Sequence, residues 1–223
     1  MIVLVAHGTR DPAGPKVSAE LAARVQAAAG VPVRVAYADV RRPDVTSVLR
    51  SVRGPAVVVP AFLAAGYHVR TDVPAQIEAS GHQDAVLTDA FGPAPELIDA
   101  MCDRLGAAGY RRGDAVVLAA AGSSDPRALA EVRAAADALA TALDLPVRVG
   151  YAATATPSVA EAVQSVRGRR VAIASWLLAP GLFQRRLVAA GAEVVAEPLG
   201  AHPGVVDLVL RRYRQAARRL VAA

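Results

Sequence analysis

IVLVAHGTRDP, from Ile2 to Pro12, and VVLAAAGSSDP, from Val116 to Pro126, are two versions of one pattern. Each runs from a short apolar stretch through a glycine to Asp-Pro. Aligned this way, Ala121 stands opposite His7. At the same offset VAYADVRRPDV (Val35 to Val45) meets VGYAATATPSV (Val149 to Val159), which sets Ala153 opposite Asp39. One residue of drift later FLAAGYHVR (Phe62 to Arg70) meets LLAPGLFQR (Leu177 to Arg185), which sets Phe183 opposite His68. Three metal-capable side chains of the first copy become Ala, Ala and Phe in the second, while the glycine and apolar framework persists. A framework that repeats without its chemistry points to a duplicated fold with one working site.

The repeat divides the chain into residues 1–112 and 113–223, with the polar stretch Tyr110–Gly113 as the boundary. Short apolar runs alternate with longer Ala-rich stretches. Strands are expected at Ile2–Ala6, Val33–Ala38, Ala56–Phe62 and Ala85–Thr88, and again at Ala115–Ala120, Val147–Ala152, Val171–Leu177 and Glu193–Ala196. Most are continuously apolar, as in strands covered on both faces. Helices are expected at Pro15–Ala29, Pro43–Arg53, Thr71–Ser80 and Ala94–Ala108, and from Pro126, Pro157, Phe183 and Pro203 in the second copy. Prolines 43, 126, 157 and 203 are expected in first helical turns, where a missing N–H costs nothing. Alternating strand and helix gives an α/β fold: two similar doubly wound parallel-sheet domains related by internal duplication.

Composition narrows the class. The chain has 223 residues, is 54% hydrophobic and has a mean hydropathy of +0.33, which suits a well-buried globular protein. No apolar run approaches the roughly 20 residues of a membrane span. The apolar start is too short and lacks a basic leader, so it is expected to be a strand, and the protein cytoplasmic. One cysteine, Cys102, excludes an internal disulfide and is expected to be a buried structural thiol. A net charge of +5 allows an anionic partner. Without a basic run interleaved with aromatics, the pattern is not that of a nucleic-acid binder. Neither a nucleic-acid nor a membrane partner is expected.

The polar residues fall at strand ends. His7 follows the first strand, Asp39 the second, and His68 lies just past the third. Open parallel sheets bind ligands beyond the carboxyl ends of their strands. Two imidazoles and a carboxylate there make a reasonable shell for a divalent first-row metal. Asp39 has a plainer alternative as a helix cap. His82 and His202 sit in turn-rich loops and are expected at the surface. Asp11-Pro12 and Asp125-Pro126 recur in both copies, as helix-start architecture would.

The motifs AHGTRDP around His7, AYADVRRP around Asp39 and PAFLAAGYHVRTDVP from Pro60 to Pro74 resemble those of the class II tetrapyrrole chelatases of the sirohydrochlorin chelatase type. The resemblance covers both halves, and the last motif is long enough to be specific. It implies two α/β domains facing across a cleft. It also implies ATP-independent insertion of Fe2+ or Co2+ into sirohydrochlorin, in siroheme or cobalamin biosynthesis, by a lyase. By this likeness His7 and His68 are the catalytic, metal-binding pair, and Asp39 is a third metal ligand where relatives usually carry Glu. Arg10, Arg41, Arg42 and Arg70, with Arg185 and Arg186 opposite, would suit the macrocycle's carboxylates, because guanidinium pairs with carboxylate in bidentate fashion. No cofactor is expected to stay bound; the metal, Fe2+, Co2+ or Ni2+, is a substrate. The expected assembly is a monomer whose halves imitate a dimer. An imidazole titrates near neutrality, so it can act as ligand or as proton acceptor.

No G-x-x-x-x-G-K-[ST] segment is present, which argues against a P-loop ATPase step in this chain. Histidine phosphatases carry Arg before a comparable His-Gly, and here Ala6 stands in that place. The remaining alternative is a metal or tetrapyrrole carrier that binds without turnover.

Overall fold

The computed structural model describes residues 1–166 and 168–222. The first half forms β1 (Ile2–Ala6), α1 (Ala13–Ala29), β2 (Val33–Tyr37), α2 (Val45–Arg50), β3 (Ala56–Pro60), a π-helical turn (His68–Asp72), α3 (Val73–Ser80), β4 (Ala85–Leu87) and α4 (Pro95–Ala107). The second forms β5 (Ala115–Ala120), α5 (Pro126–Leu143), β6 (Val147–Tyr151), α6 (Val159–Gln164), β7 (Val171–Trp176), α7 (Leu182–Val188), β8 (Val194–Val195) and α8 (Pro203–Ala222). Each half is a four-stranded parallel sheet, ordered β2-β1-β3-β4 and β6-β5-β7-β8. Both sheets are covered on both faces, which explains why their strands read as continuous apolar runs.

Side chains along each strand alternate between two cores. Val3, Val5 and Val58 face the outer layer of the first sheet, with α2 residues Val48 and Leu49. Val117, Ile173 and Leu187 make the outer layer of the second, with Val159 and Val163 of α6. Ile2, Leu4, Val57 and Val59 face inward, as do Val116, Leu118, Ala172 and Trp176 from the other sheet. Between them lies one central layer, to which α1, α4, α5 and α8 all contribute. The final helix of each half is exchanged. Helix α4 packs against β7 and α5, and α8 packs against α1, β3 and β4. The boundary near residue 112 thus separates two sheets, and it does not separate two cores.

Local details depart from the sequence expectation at two prolines. Pro43 and Pro157 precede their helices instead of entering them. The N-caps are Asp44, which accepts from Ser47 N–H at 2.7 Å, and Ser158, which forms a capping box with Glu161. Pro126 does sit in the first turn of α5, capped by Asp125. Helix α3 begins later than expected, because residues 68–72 form the π turn, closed by Val73 N–H donating to His68 O. Cys102 is partly buried, and burial raises its thiol above the usual range. His202 is also partly buried: its Nδ1 accepts from Gly204 N–H at 3.2 Å and its Nε2 lies 3.3 Å from Asp103.

Candidate functional site

The order β2-β1-β3-β4 places the switch point between β1 and β3, where the chain leaves one strand to the left and the next to the right. His7 follows β1 and His68 lies in the turn after β3, so the fold brings these two together. Their ring centroids are 4.6 Å apart, nearly edge to face at 80°. Phe62 backs both rings, at 5.8 Å from His7 and 6.4 Å from His68. His7 Nδ1 lies 3.0 Å from Gly8 O, and His68 Nδ1 lies 2.5 Å from Asp72 Oδ2. Both neighbours are acceptors, so in a neutral ring each Nδ1 is the donor and each Nε2 keeps a free lone pair.

Asp39 follows β2, on the far side of β1 from His68. Its carboxylate accepts from Val40 N–H at 2.7 Å, and its own N–H donates to His7 O at 3.1 Å. Among the described residues no group of three or more His, Cys, Asp or Glu side chains is placed to hold a metal ion. The structure therefore brings together His7 and His68 but does not add Asp39 as a third ligand. The helix-cap alternative fails too, since Asp44 caps α2. The Asp39 loop is held tightly. Gly8 has φ +92°, and a Cβ there would overlap Asp39 O. Val40, with φ 64°, occupies the left-handed region that β-branched residues avoid. Gly122, Ala153 and Thr154 repeat all of this in the second copy. Geometry that survives the loss of the carboxylate belongs to the architecture.

The histidines line a cavity of about 710 Å³ between the halves. Leu63 and Tyr67 flank them, and Leu178, Pro180, Leu182 and Phe183 line it from the second half. Tyr67 and Leu182, equivalent in the repeat, are both largely exposed. Of the expected arginines, none lines this space. Arg41 Nε donates to Thr9 O, and Arg42 pairs with Asp44 on its own loop. Arg70 donates to Ala65 O at 2.6 Å and to Glu131 at 3.3 Å, and lies 3.8 Å from Asp125. Arg10 is exposed and has no side-chain partner among the described residues.

Arg70 has a counterpart that explains it. Arg185, its equivalent, donates to Asp11 at 2.9 Å, and Asp11 is the equivalent of Asp125. Each half thus sends an arginine to the other half's helix-start aspartate, the reciprocal contact expected of a two-fold interface. Ala13 N–H and then Arg185 hold the Asp11 carboxyl below the usual carboxylate range. Arg127 N–H chiefly does the same for Asp125. Arg70 and Arg185 hold the halves together, which accounts for their presence in both copies. Arg186 donates to Ala152 O at 2.7 Å and lies over the Phe183 ring.

Residues 1–108 and 115–216 match the CbiX family profile, so both copies match and almost the whole chain is covered. The chain belongs to the CbiX family of class II chelatases. A sirohydrochlorin cobaltochelatase of Methanothermobacter thermautotrophicus is 27% identical over 127 residues, covering 47% of this chain and 89% of that protein. SirB of Bacillus subtilis, solved with Fe3+, superposes with a TM-score of 0.81 at 23% identity, over 97% of this chain and 94% of that one. The sirohydrochlorin chelatase SirB of Bacillus subtilis subspecies spizizenii, in complex with cobalt, gives 0.77 at 23% identity over the same shares. At such identity these two structures establish the fold.

What the sequence missed at the site is Asp72, the partner of His68, and the apolar wall supplied by the second copy. A signal for both was available. Asp72 stands four positions after His68, and Leu187 stands four positions after Phe183, so the imidazole and the carboxylate are lost together.

Proposed function

We propose that this protein inserts a divalent metal, Fe2+ or Co2+, into sirohydrochlorin without ATP, as a step of siroheme or cobalamin biosynthesis. The observation that carries the reading is the pair of imidazoles at the switch point, each with a free Nε2, facing a cavity whose opposite wall is apolar. We assign the metal to His7 and His68 and leave Asp39 to its turn. The CbiX family profile and the cobaltochelatase likeness support this reading.

The chemistry balances simply. Two pyrrole N–H protons leave, M2+ enters, and the ring nitrogens replace the metal's protein and water ligands. A bis-imidazole site suits a substrate metal because it leaves coordination positions open. It holds the ion loosely enough to surrender it to four ring nitrogens. Once it has passed the metal on, a bare Nε2 can take a pyrrole proton. The second copy contributes by what it lost. Ala121 and Phe183 turn its former site into an apolar wall, against which the face of a macrocycle can rest while the metal enters from the histidine side. Arg10, the one unengaged arginine of the expected set, is assigned to a substrate carboxylate at the rim. Imidazole accepts Fe2+ and Co2+ alike along the general divalent series, so cellular supply selects the metal.

The test is turnover. Protein at a hundredth of the sirohydrochlorin concentration, given Fe2+ or Co2+ anaerobically, is expected to metallate the whole pool, followed by absorbance. Metallation that stops at one equivalent of protein would mark a carrier and end the enzymatic reading.

A further inference from the structure

We propose that Asp72 is a positioning residue that holds His68 in the tautomer presenting a bare Nε2 to the metal. The inference rests on the reading that His68 takes the metal. Asp72 Oδ2 lies 2.5 Å from His68 Nδ1, and both side chains are partly buried. A carboxylate only accepts, so the proton of a neutral ring must sit on Nδ1. Carboxylates in this position fix the orientation of metal-binding imidazoles and raise their basicity. The π turn supplies the geometry, since both residues lie within its five positions, His68–Asp72.

The ordinary roles of an aspartate here are vacant. Asp72 precedes α3, yet its side chain makes no capping hydrogen bond. Nor does it pair with any arginine among the described residues; neighbouring Arg70 is engaged by Ala65, Asp125 and Glu131.

The second copy provides an independent argument. His68 and Asp72 become Phe183 and Leu187, while Gly66 and Arg70 remain as Gly181 and Arg185. The π turn is replaced by the regular helix α7. Aspartates with architectural duties, Asp11 and Asp125, were kept in both copies. The carboxylate that touches the lost imidazole disappeared with it.

The experiment uses the whole chain, labelled with 15N-histidine, and records long-range proton–nitrogen correlations at mildly alkaline pH, with His68→Gln to assign the signal. His68 is expected in the Nδ1–H tautomer in the wild type and to lose that preference in Asp72→Leu. Titration with Co2+ alone is expected to show an affinity loss of roughly 10- to 100-fold in both Asp72→Asn and Asp72→Leu. Melting temperature should change little in Asp72→Asn, because the isosteric amide keeps the side chain's shape in a partly exposed place. Should the leucine variant fail to fold, the isosteric asparagine variant decides alone. Wild-type His68 protonated on Nε2, or Co2+ affinity within twofold of wild type in the asparagine variant, would overturn the proposal. If His68→Gln itself binds Co2+ and metallates sirohydrochlorin normally, the site reading fails instead. Loss in His68→Gln with Asp72→Asn unaffected sinks only the role given to Asp72.

Discussion

Replacing Leu49 by alanine should destabilise a part of the molecule that Leu49 never touches. Leu49 lies on α2, fully buried in the outer layer of the first sheet. Truncating such a leucine costs about 2–5 kcal/mol, the transfer of its lost atoms plus the cavity left behind. For a chain of this size each kcal/mol lowers the melting temperature by about 2–4 °C, so a loss of about 3 kcal/mol means about 6–12 °C. The probe sits in the other half. Trp176, the chain's single tryptophan, is on β7 and 2% exposed in the central layer. Because α4 covers β7 and α8 covers β3 and β4, neither sheet keeps its whole inner face covered once the other unfolds. Tryptophan fluorescence and far-UV circular dichroism should therefore shift together, in one transition. A Trp176 midpoint that stays put within about 1 °C while the dichroism splits into two steps would refute the shared core.

Two further predictions concern the helix exchange and the strained loops. Glu96 on α4 accepts two hydrogen bonds from Arg211 on α8, at 2.6 and 3.0 Å, and this pairing holds its carboxyl below the usual range. A depressed carboxylate contributes stability above its unfolded value and loses it as pH falls through the folded one. Glu96→Gln should thus cost about 1 kcal/mol near neutrality, with melting curves converging on wild type in acid; a constant difference at all pH values would contradict the pairing. Gly122→Ala meets both a left-handed φ and the Ala153 carbonyl, whereas Gly30→Ala meets the φ alone in open space. Chemical denaturation should show about 1 kcal/mol lost at Gly30 and at least about 3 kcal/mol at Gly122, and equal losses would count against the close approach.

Much of this was legible in the sequence. Short apolar runs alternating with Ala-rich stretches located the eight strands of the described residues within two residues and implied parallel sheets, and the repeat divided them into two. Strand order was not legible, and strand order is what puts β1 between Asp39 and His68. All three residues follow strands, but only β1 and β3 flank the switch point. The exchange of α4 and α8 was invisible for a related reason. An amphipathic helix encodes that it has a face to bury, not which sheet will cover it. Guanidinium suits carboxylate, so the sequence points Arg70 at the substrate, while the structure gives it Asp125 and Glu131, carboxylates of the protein itself. Its recurrence as Arg185 was the sequence signal for that outcome. Asp11 and Asp125 were legible as helix starts, and their second duty as partners across the interface was not.

The central claim is one working metal site, built by His7 and His68 alone among the duplicated positions. Anomalous diffraction from crystals soaked in Co2+ tests it directly. The account predicts one cobalt per chain at the cavity wall, bonded to Nε2 of His7 and Nε2 of His68, with nothing at Ala121 and Phe183. Cobalt bound away from this pair, or a second cobalt of equal occupancy in the other half, would contradict it.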